Sequence, residues 1–302
     1  MKFRSKDFLS VTDISKEEFL EILKTAKEFK SDSECPQTLK GKNIALIFQK
    51  PSTRTRVSFE VGVNKLGGKS LVLGWNELQL GRGETVEDTA KVLERYVNAI
   101  VARVFSHQDL VKMSKVINIP IVNSLSDIEH PCQTLADLLT VDEKVGFGNV
   151  RKITYVGDGN NNVCHSLMLG CNTLGLPLMI AAPRGYEPKK EIADSVDGSL
   201  IRIINDPVAA VKDADGIYSD VWVSMGSEKE MEERLEAFRP FQLNGNLVST
   251  AKQNYIFMHC LPAHRGQEVT DDVIDSKNSV VFDQAENRMW TQMALLHHMF
   301  VK

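Results

Sequence analysis

Long apolar runs are missing from this chain of 302 residues. No window approaches the roughly 18 apolar residues that a membrane span requires, and the opening Met1-Lys2-Phe3-Arg4-Ser5-Lys6-Asp7 has no apolar core of signal-peptide length. The expected location is the cytoplasm, with no membrane partner. Cysteine is scarce as well. Cys35, Cys132, Cys164, Cys171 and Cys260 are odd in number and show no C-x-x-C spacing, so reduced thiols are expected rather than a disulfide framework. Cys132 and Cys260 stand close to His130 and His259, but neither pair has ordinary zinc-ligand spacing, and no metal is expected. Positive charge is not in excess either: the net charge of -4 argues against a nucleic-acid scaffold, so local basic clusters are read as small anion sites. Low-complexity tracts and repeats of solenoid period are absent. What is present, 42% hydrophobic and 25% charged residues, is the composition of a globular protein long enough for two domains.

Apolar strands alternate with amphipathic helices along the chain. Ser15-x-x-Glu18 is a capping box ahead of a helix through Phe19, Leu20, Leu23 and Ala26. Asn43–Phe48 reads as a buried parallel strand, and Val57, Phe59, Val61 and Leu66 are expected to form the apolar face of the following helix. Strands are also expected at 70–73, 99–102 and 120–122, with a long glycine-rich loop at 74–84 that ends at Thr85-x-x-Asp88. After a helix at 134–145, the glycines of Gly146-Phe147-Gly148-Asn149 suggest a domain boundary. A second series then places strands at 153–156, 177–182, 200–204, 216–218 and 255–258, with Asp206-Pro207 opening one of the intervening helices. The fold class expected is α/β. It has two doubly wound domains, each a mostly parallel sheet flanked by helices, and a C-terminal helix from about Glu286 that crosses back to the first domain. The expected boundaries are 1–146 together with 286–302 for one domain, and 147–285 for the other.

In doubly wound folds ligands collect beyond the carboxyl ends of the strands, so the polar residues after each strand form the candidate site. Lys50-Pro51-Ser52-Thr53-Arg54-Thr55-Arg56 joins the strand end at Phe48 to a helix start. Free N–H groups and the positive end of the helix dipole favour an anion there, and guanidinium forks match phosphate oxygens. Arg103 follows another strand, and His130 lies in the segment after 120–122. Together these suit a small phosphate compound, with His130 donating to a carbonyl oxygen as charge grows on it. The second domain opens with Gly157-Asp158-Gly159-Asn160-Asn161-Asn162, a dinucleotide fingerprint broken at its third glycine, so no nicotinamide cofactor is expected. Asn162 offers amide hydrogen bonds to an amino acid, although an Asn run after a strand is equally a turn. Asp220 can hold an ammonium group. Cys260, with no helix N-terminus or evident base beside it, reads as a buried, inert thiol.

With Ser-Thr-Arg-Thr-Arg, His-Pro-Cys-Gln, Ser-Met-Gly and His-Cys-Leu-Pro in order, the chain resembles the aspartate/ornithine carbamoyltransferase family over almost its whole length. Its Ser224-Met225-Gly226 and His259-Cys260-Leu261-Pro262 motifs place it with the ornithine branch. The resemblance implies transfer of the carbamoyl group from carbamoyl phosphate to the δ-amine of L-ornithine, by direct attack through a tetrahedral intermediate and without a cofactor. It implies that Ser52, Thr53, Arg54, Thr55 and Arg103 hold the phosphate, that His130 and Gln133 address the carbamoyl end, and that Arg288 completes that site. Asn162, Asp220, Ser224 and Met225 are implied to bind ornithine. Cys260 and Leu261 are implied to orient the reacting amine against carbamoyl phosphate, across a cis Leu261-Pro262 bond. Arg54, Arg103, His130 and Cys260 are the residues implied to be catalytic. Gln79 resembles a residue donated across a subunit boundary, which implies a homotrimer or a multiple of trimers. A putrescine or other diamine carbamoyltransferase is the alternative, disfavoured because a diamine has no α-carboxylate for Ser224-Met225-Gly226 to bind. The direction, toward arginine biosynthesis or breakdown, is not legible in the residues.

Overall fold

Ser15 opens the first helix, α1 (Lys16–Ser31), with a reciprocal cap: its hydroxyl accepts from the Glu18 N–H, and the Glu18 carboxylate accepts from the Ser15 N–H at 2.7 Å. The computed structural model describes residues 4–32, 34–75, 78–223 and 231–301. The chain divides into two compact units, Met1–Ala136 with Glu286–Lys302, and Asp137–Ala285.

In the first unit, β1 (Asn43–Phe48), α2 (Thr53–Lys65), β2 (Lys69–Gly74), α3 (Val86–Glu94), β3 (Ala99–Arg103), α4 (His107–Val116) and β4 (Ile121–Leu125) follow one another. The strands pair in parallel in the order β2-β1-β3-β4. Phe8 adds a short parallel bridge on the outer edge of β4, where its N–H donates to the Ile121 carbonyl. Ile44, Ala45, Leu46 and Ile47 are fully buried, as a strand covered on both faces requires.

The buried face of α2 differs from the sequence expectation. Val57 and Val61 are 50% and 38% exposed, while Thr55, Phe59, Gly62 and Val63 are buried. The buried set follows the i, i+4, i+7, i+8 spacing of one helical face, whereas alternate residues such as 57, 59 and 61 cannot share one. Gly62 lies against the last helix, α12 (Val281–Phe300): a Cβ there would come within 2.9 Å of Met293 Cγ. Part of α12, from Glu286 on, belongs to the first unit, where Lys30 donates to Asn287, and Thr25 and Thr38 bond to His298 and His297.

The helix α5 (Pro131–Lys144) leads into the second unit. There the elements are β5 (Ile153–Val156), α6 (Asn162–Leu174), β6 (Leu178–Ala181), α7 (Lys190–Ala193), β7 (Ile201–Ile204), α8 (Pro207–Val211) and β8 (Gly216–Ser219). They continue as α9 (Met231–Phe238), α10 (Gly245–Val248), β9 (Ile256–His259) and α11 (Asp271–Ile274). The sheet is again parallel, in the order β7-β6-β5-β8-β9. Asp206 caps α8, accepting from Val208 and Ala209 with Pro207 at the first helical position. Among the described residues no helix is long and apolar enough to cross a membrane.

Candidate active site

The strand order of the first unit reverses between β1 and β3, and a parallel sheet leaves a crevice for ligands at the carboxyl side of such a switch point. The helix start at that crevice is open. Ser52 is the N-cap of α2, yet its side chain makes no capping bond, and no acidic residue occupies the first turn. The Ser52 hydroxyl instead accepts from Arg103 Nη1 at 3.3 Å, which ties the end of β1 to the end of β3. Thr53 is exposed at the first helical position, Arg54 is half-buried beside it, and Thr55 is buried one residue on.

Thr55 meets α12. Arg288, buried, donates from Nη2 to Thr55 Oγ1 at 2.7 Å and from Nη1 to Gln133 Oε1 at 3.0 Å. One guanidinium thereby joins the first turn of α2 to the first turn of α5. His130 sits immediately before α5, and its carbonyl accepts from the Gln133 N–H. Burial holds the His130 imidazole well below its ordinary pKa, and the guanidiniums of Arg288 and Arg103 push it the same way. At neutral pH the ring is uncharged, with one N–H to give. Cys132 is a structural thiol: it is buried, donates to the Asn123 carbonyl, and is pushed up to about 12 by its surroundings. Gln79 stands apart from this cluster, exposed on the short 3-10 turn Gln79–Arg82.

The second unit repeats the plan with different chemistry. Its strand order reverses between β5 and β8, and the loops after β5, β8 and β9 carry Asn161, Asp220 and Cys260. Asn161 is the N-cap of α6, accepting from the Cys164 N–H at 2.8 Å, while its amide donates to the Tyr155 hydroxyl at 2.8 Å and to Asp220 Oδ2 at 3.3 Å. Its amide is therefore engaged with protein at both ends. Asn162, half-buried in the first helical position, is the more accessible of the two. Cys260 Sγ donates to the other Asp220 oxygen at 3.0 Å.

Behind Cys260, His259 Nδ1 accepts from the Leu261 N–H at 2.9 Å, so the ring proton sits on Nε2 and faces buried Glu268 at 3.1 Å. Leu261 is held at φ 56°, in the left-handed region, and the Leu261–Pro262 bond is cis. Asp220, His259 and Cys260 offer ligand atoms within 4.8 Å of one another. A metal there would have to displace one of the two bonds the His259 ring makes. Ser224 and Met225 lie outside the described residues.

Asp158 and Arg234 are drawn into this half-site although no sequence motif singled out their pairing. They are an ion pair, and nothing in the acidic segment Met231–Phe238 marks Arg234 as the partner of a residue 76 positions earlier.

Residues 6–143 match the family model described as aspartate/ornithine carbamoyltransferase, carbamoyl-P binding domain, and residues 149–299 match that of its Asp/Orn binding domain. An ornithine carbamoyltransferase of Pyrococcus horikoshii is 53% identical over 98% of this chain and 96% of its own length. One named as anabolic, from Pyrococcus furiosus, is 54% identical over 96% and 95%. The solved structure of an ornithine carbamoyltransferase from Pyrococcus furiosus superposes with a TM-score of 0.95, at 51% identity and complete coverage of both chains. The chain belongs to the aspartate/ornithine carbamoyltransferase family.

Proposed function

We infer that this chain transfers the carbamoyl group of carbamoyl phosphate to the δ-amine of L-ornithine, giving L-citrulline and phosphate. The observation that carries the reading is the meeting of Ser52, Thr55, Arg103, His130, Gln133 and Arg288 at one switch point, in a chain that matches ornithine carbamoyltransferases over its length.

Residues 1–146 with the returning helix 286–302 serve as the carbamoyl phosphate domain. The uncapped first turn of α2, with Ser52, Thr53, Arg54, Thr55 and Arg103, takes the phosphate. Arg288, Gln133 and His130 take the carbamoyl end. An uncharged His130 donates its N–H to the carbamoyl oxygen as that oxygen becomes an oxyanion. Gln79 is exposed, and its resemblance to a residue donated across a subunit boundary supports a trimer or a multiple of trimers.

Residues 147–285 serve as the ornithine domain, with Asn162, Asp220, Ser224 and Met225 binding the amino-acid end. The δ-amine resembles that of lysine, with an ordinary pKa of about 10.4, and it attacks only as the free base. Cys260, bonded to Asp220, and the Leu261 backbone orient that amine and favour its neutral form. Attack on the carbamoyl carbon gives a tetrahedral intermediate. Its collapse expels phosphate, which carries away the amine proton. No electron transfer or covalent carrier is involved, so the step is complete without a cofactor. The relative named as anabolic supports a role in arginine biosynthesis, and the free thiols of Cys35, Cys132, Cys164 and Cys171 support a cytoplasmic setting.

The test is colorimetric citrulline or carbamoyl-product formation from carbamoyl phosphate, with L-ornithine, putrescine and L-aspartate compared at equal concentration. Turnover with ornithine should exceed the others by orders of magnitude. A preference for putrescine would overturn the assignment.

A further inference from the structure

Arg234 is buried to 6% exposure on a helix whose Glu232, Glu233 and Glu236 all face solvent. A guanidinium is seldom buried without a partner, and this one has several. Its Nε donates to the Trp222 carbonyl at 2.7 Å, and Nη2 pairs with the Asp158 carboxylate. Its carbon lies over the Tyr186 ring at 4.9 Å and near the Phe238 ring at 5.3 Å, while Trp222 stacks on Phe238. Side chains and backbone from three loops and one helix therefore close on a single planar cation.

Two of those loops carry the amino-acid half-site. Asp158 precedes Asn161 by three residues in the loop after β5, and Trp222 follows Asp220 by two in the loop after β8. The Asn161–Asp220 bond spans the same gap. The loop after β5 is also closely packed, because a Cβ on Gly159 would stand 2.9 Å from the Tyr186 carbonyl oxygen. Burial pushes the Asp158 carboxyl up to about 6, with Arg234 acting against that rise, so the ion pair is what keeps the carboxylate charged at neutral pH.

We propose that Arg234 is a positioning residue for the ornithine half-site: it sets the distance between the loops after β5 and β8, and with it the placement of Asn161, Asn162 and Asp220. The role needs arginine. A planar fork bonds a carboxylate and a carbonyl at once while its faces lie against aromatic rings, and lysine offers only a point charge. Arg234 is engaged by protein groups and acts through its neighbours, not by touching substrate. The proposal rests on the assignment of those neighbours to ornithine binding.

The experiment is steady-state kinetics on the purified full-length enzyme and on Arg234→Met, Arg234→Lys, Asp158→Asn and the Asp158→Asn/Arg234→Met double variant, with melting temperatures. Arg234→Met should raise KM for ornithine by about ten- to hundredfold while KM for carbamoyl phosphate stays within about twofold. Arg234→Lys should recover part of the loss. The double variant should be no worse than its more damaged parent, because both substitutions open the same clamp. An unchanged ornithine KM in a folded variant, at any melting temperature, would overturn the proposal, as would equal rises in both KM values. If Arg234→Met does not fold, Arg234→Lys and Asp158→Asn carry the same test. Failure of the wild type to use ornithine would instead sink the functional reading itself, before any variant is made.

Discussion

The two units use the same topological device for opposite charges. Each is a parallel sheet whose strand order reverses next to its first strand in chain order, and each gathers its polar residues in the loops just past that reversal. In the first unit the helix beyond the reversal begins uncapped, with hydroxyls and guanidiniums around its open N–H groups. In the second, Asn161 closes the helix start, and a carboxylate, a thiol and amides take over. Under the proposed function, one crevice takes a dianion and the other a zwitterion with a spare amine. The backbone supplies the location, and a handful of residues after the strand ends supply the sign.

That contrast breaks most visibly at Arg54. Arg54→Ala should lower kcat/KM for carbamoyl phosphate by about a thousandfold or more, with no change in melting temperature, because the side chain is only half-buried and its proposed place is beside the leaving phosphate. Cys260→Ala addresses the other half: KM for ornithine should rise by about tenfold with KM for carbamoyl phosphate unaltered, the loss of one hydrogen-bonding group. A reversed pattern, with each substitution affecting the other substrate, would mean that the half-sites are exchanged.

Acid titration should distinguish the units by sign. His130 has a depressed pKa in the folded state, so below about 6.5 the unfolded chain binds a proton that the folded chain refuses, and stability falls as pH falls through that range. Asp158 is raised from 3.8 to about 6, so its folded state binds the extra proton: its contribution is greatest below 3.8 and is lost as pH rises through about 6. Thermal melts between pH 4 and 7 should therefore flatten in His130→Asn and steepen in Asp158→Asn, each relative to wild type. The smallest effects belong to the caps. Ser15→Ala in the first unit and Asp206→Ala in the second should each cost about 1 kcal/mol in denaturant melts and leave both KM values unchanged.

Much of the architecture was readable before any coordinates, because it depends on short-range patterns. Strands β1 and β5 fall at the residues where apolar runs meet turn signals, and the caps at Ser15 and Asp206 are local hydrogen bonds between close neighbours. The face of α2 was misread because three apolar residues at alternate positions suggested a stripe that helical geometry cannot form, while small Gly62 and polar Thr55 turned inward. The open helix start proposed to take the phosphate is legible, since Ser52 to Thr55 stand in one contiguous string directly after β1. The bonds from Arg288 to Thr55 and Gln133 are long-range, and only the family resemblance pointed to that arginine. Nothing pointed to Arg234, whose partners are set by tertiary packing alone.

Gly62 makes the phosphate half-site dependent on a missing methyl group. Helix α2 carries Thr55 at one end and meets Met293 two turns further along, so the clearance between the two helix axes acts as a ruler for how far Arg288 must reach. A side chain at that contact would have to displace Met293 or lengthen the ruler. A lone hydrogen atom seven residues from Thr55 thus calibrates the proposed grip on phosphate.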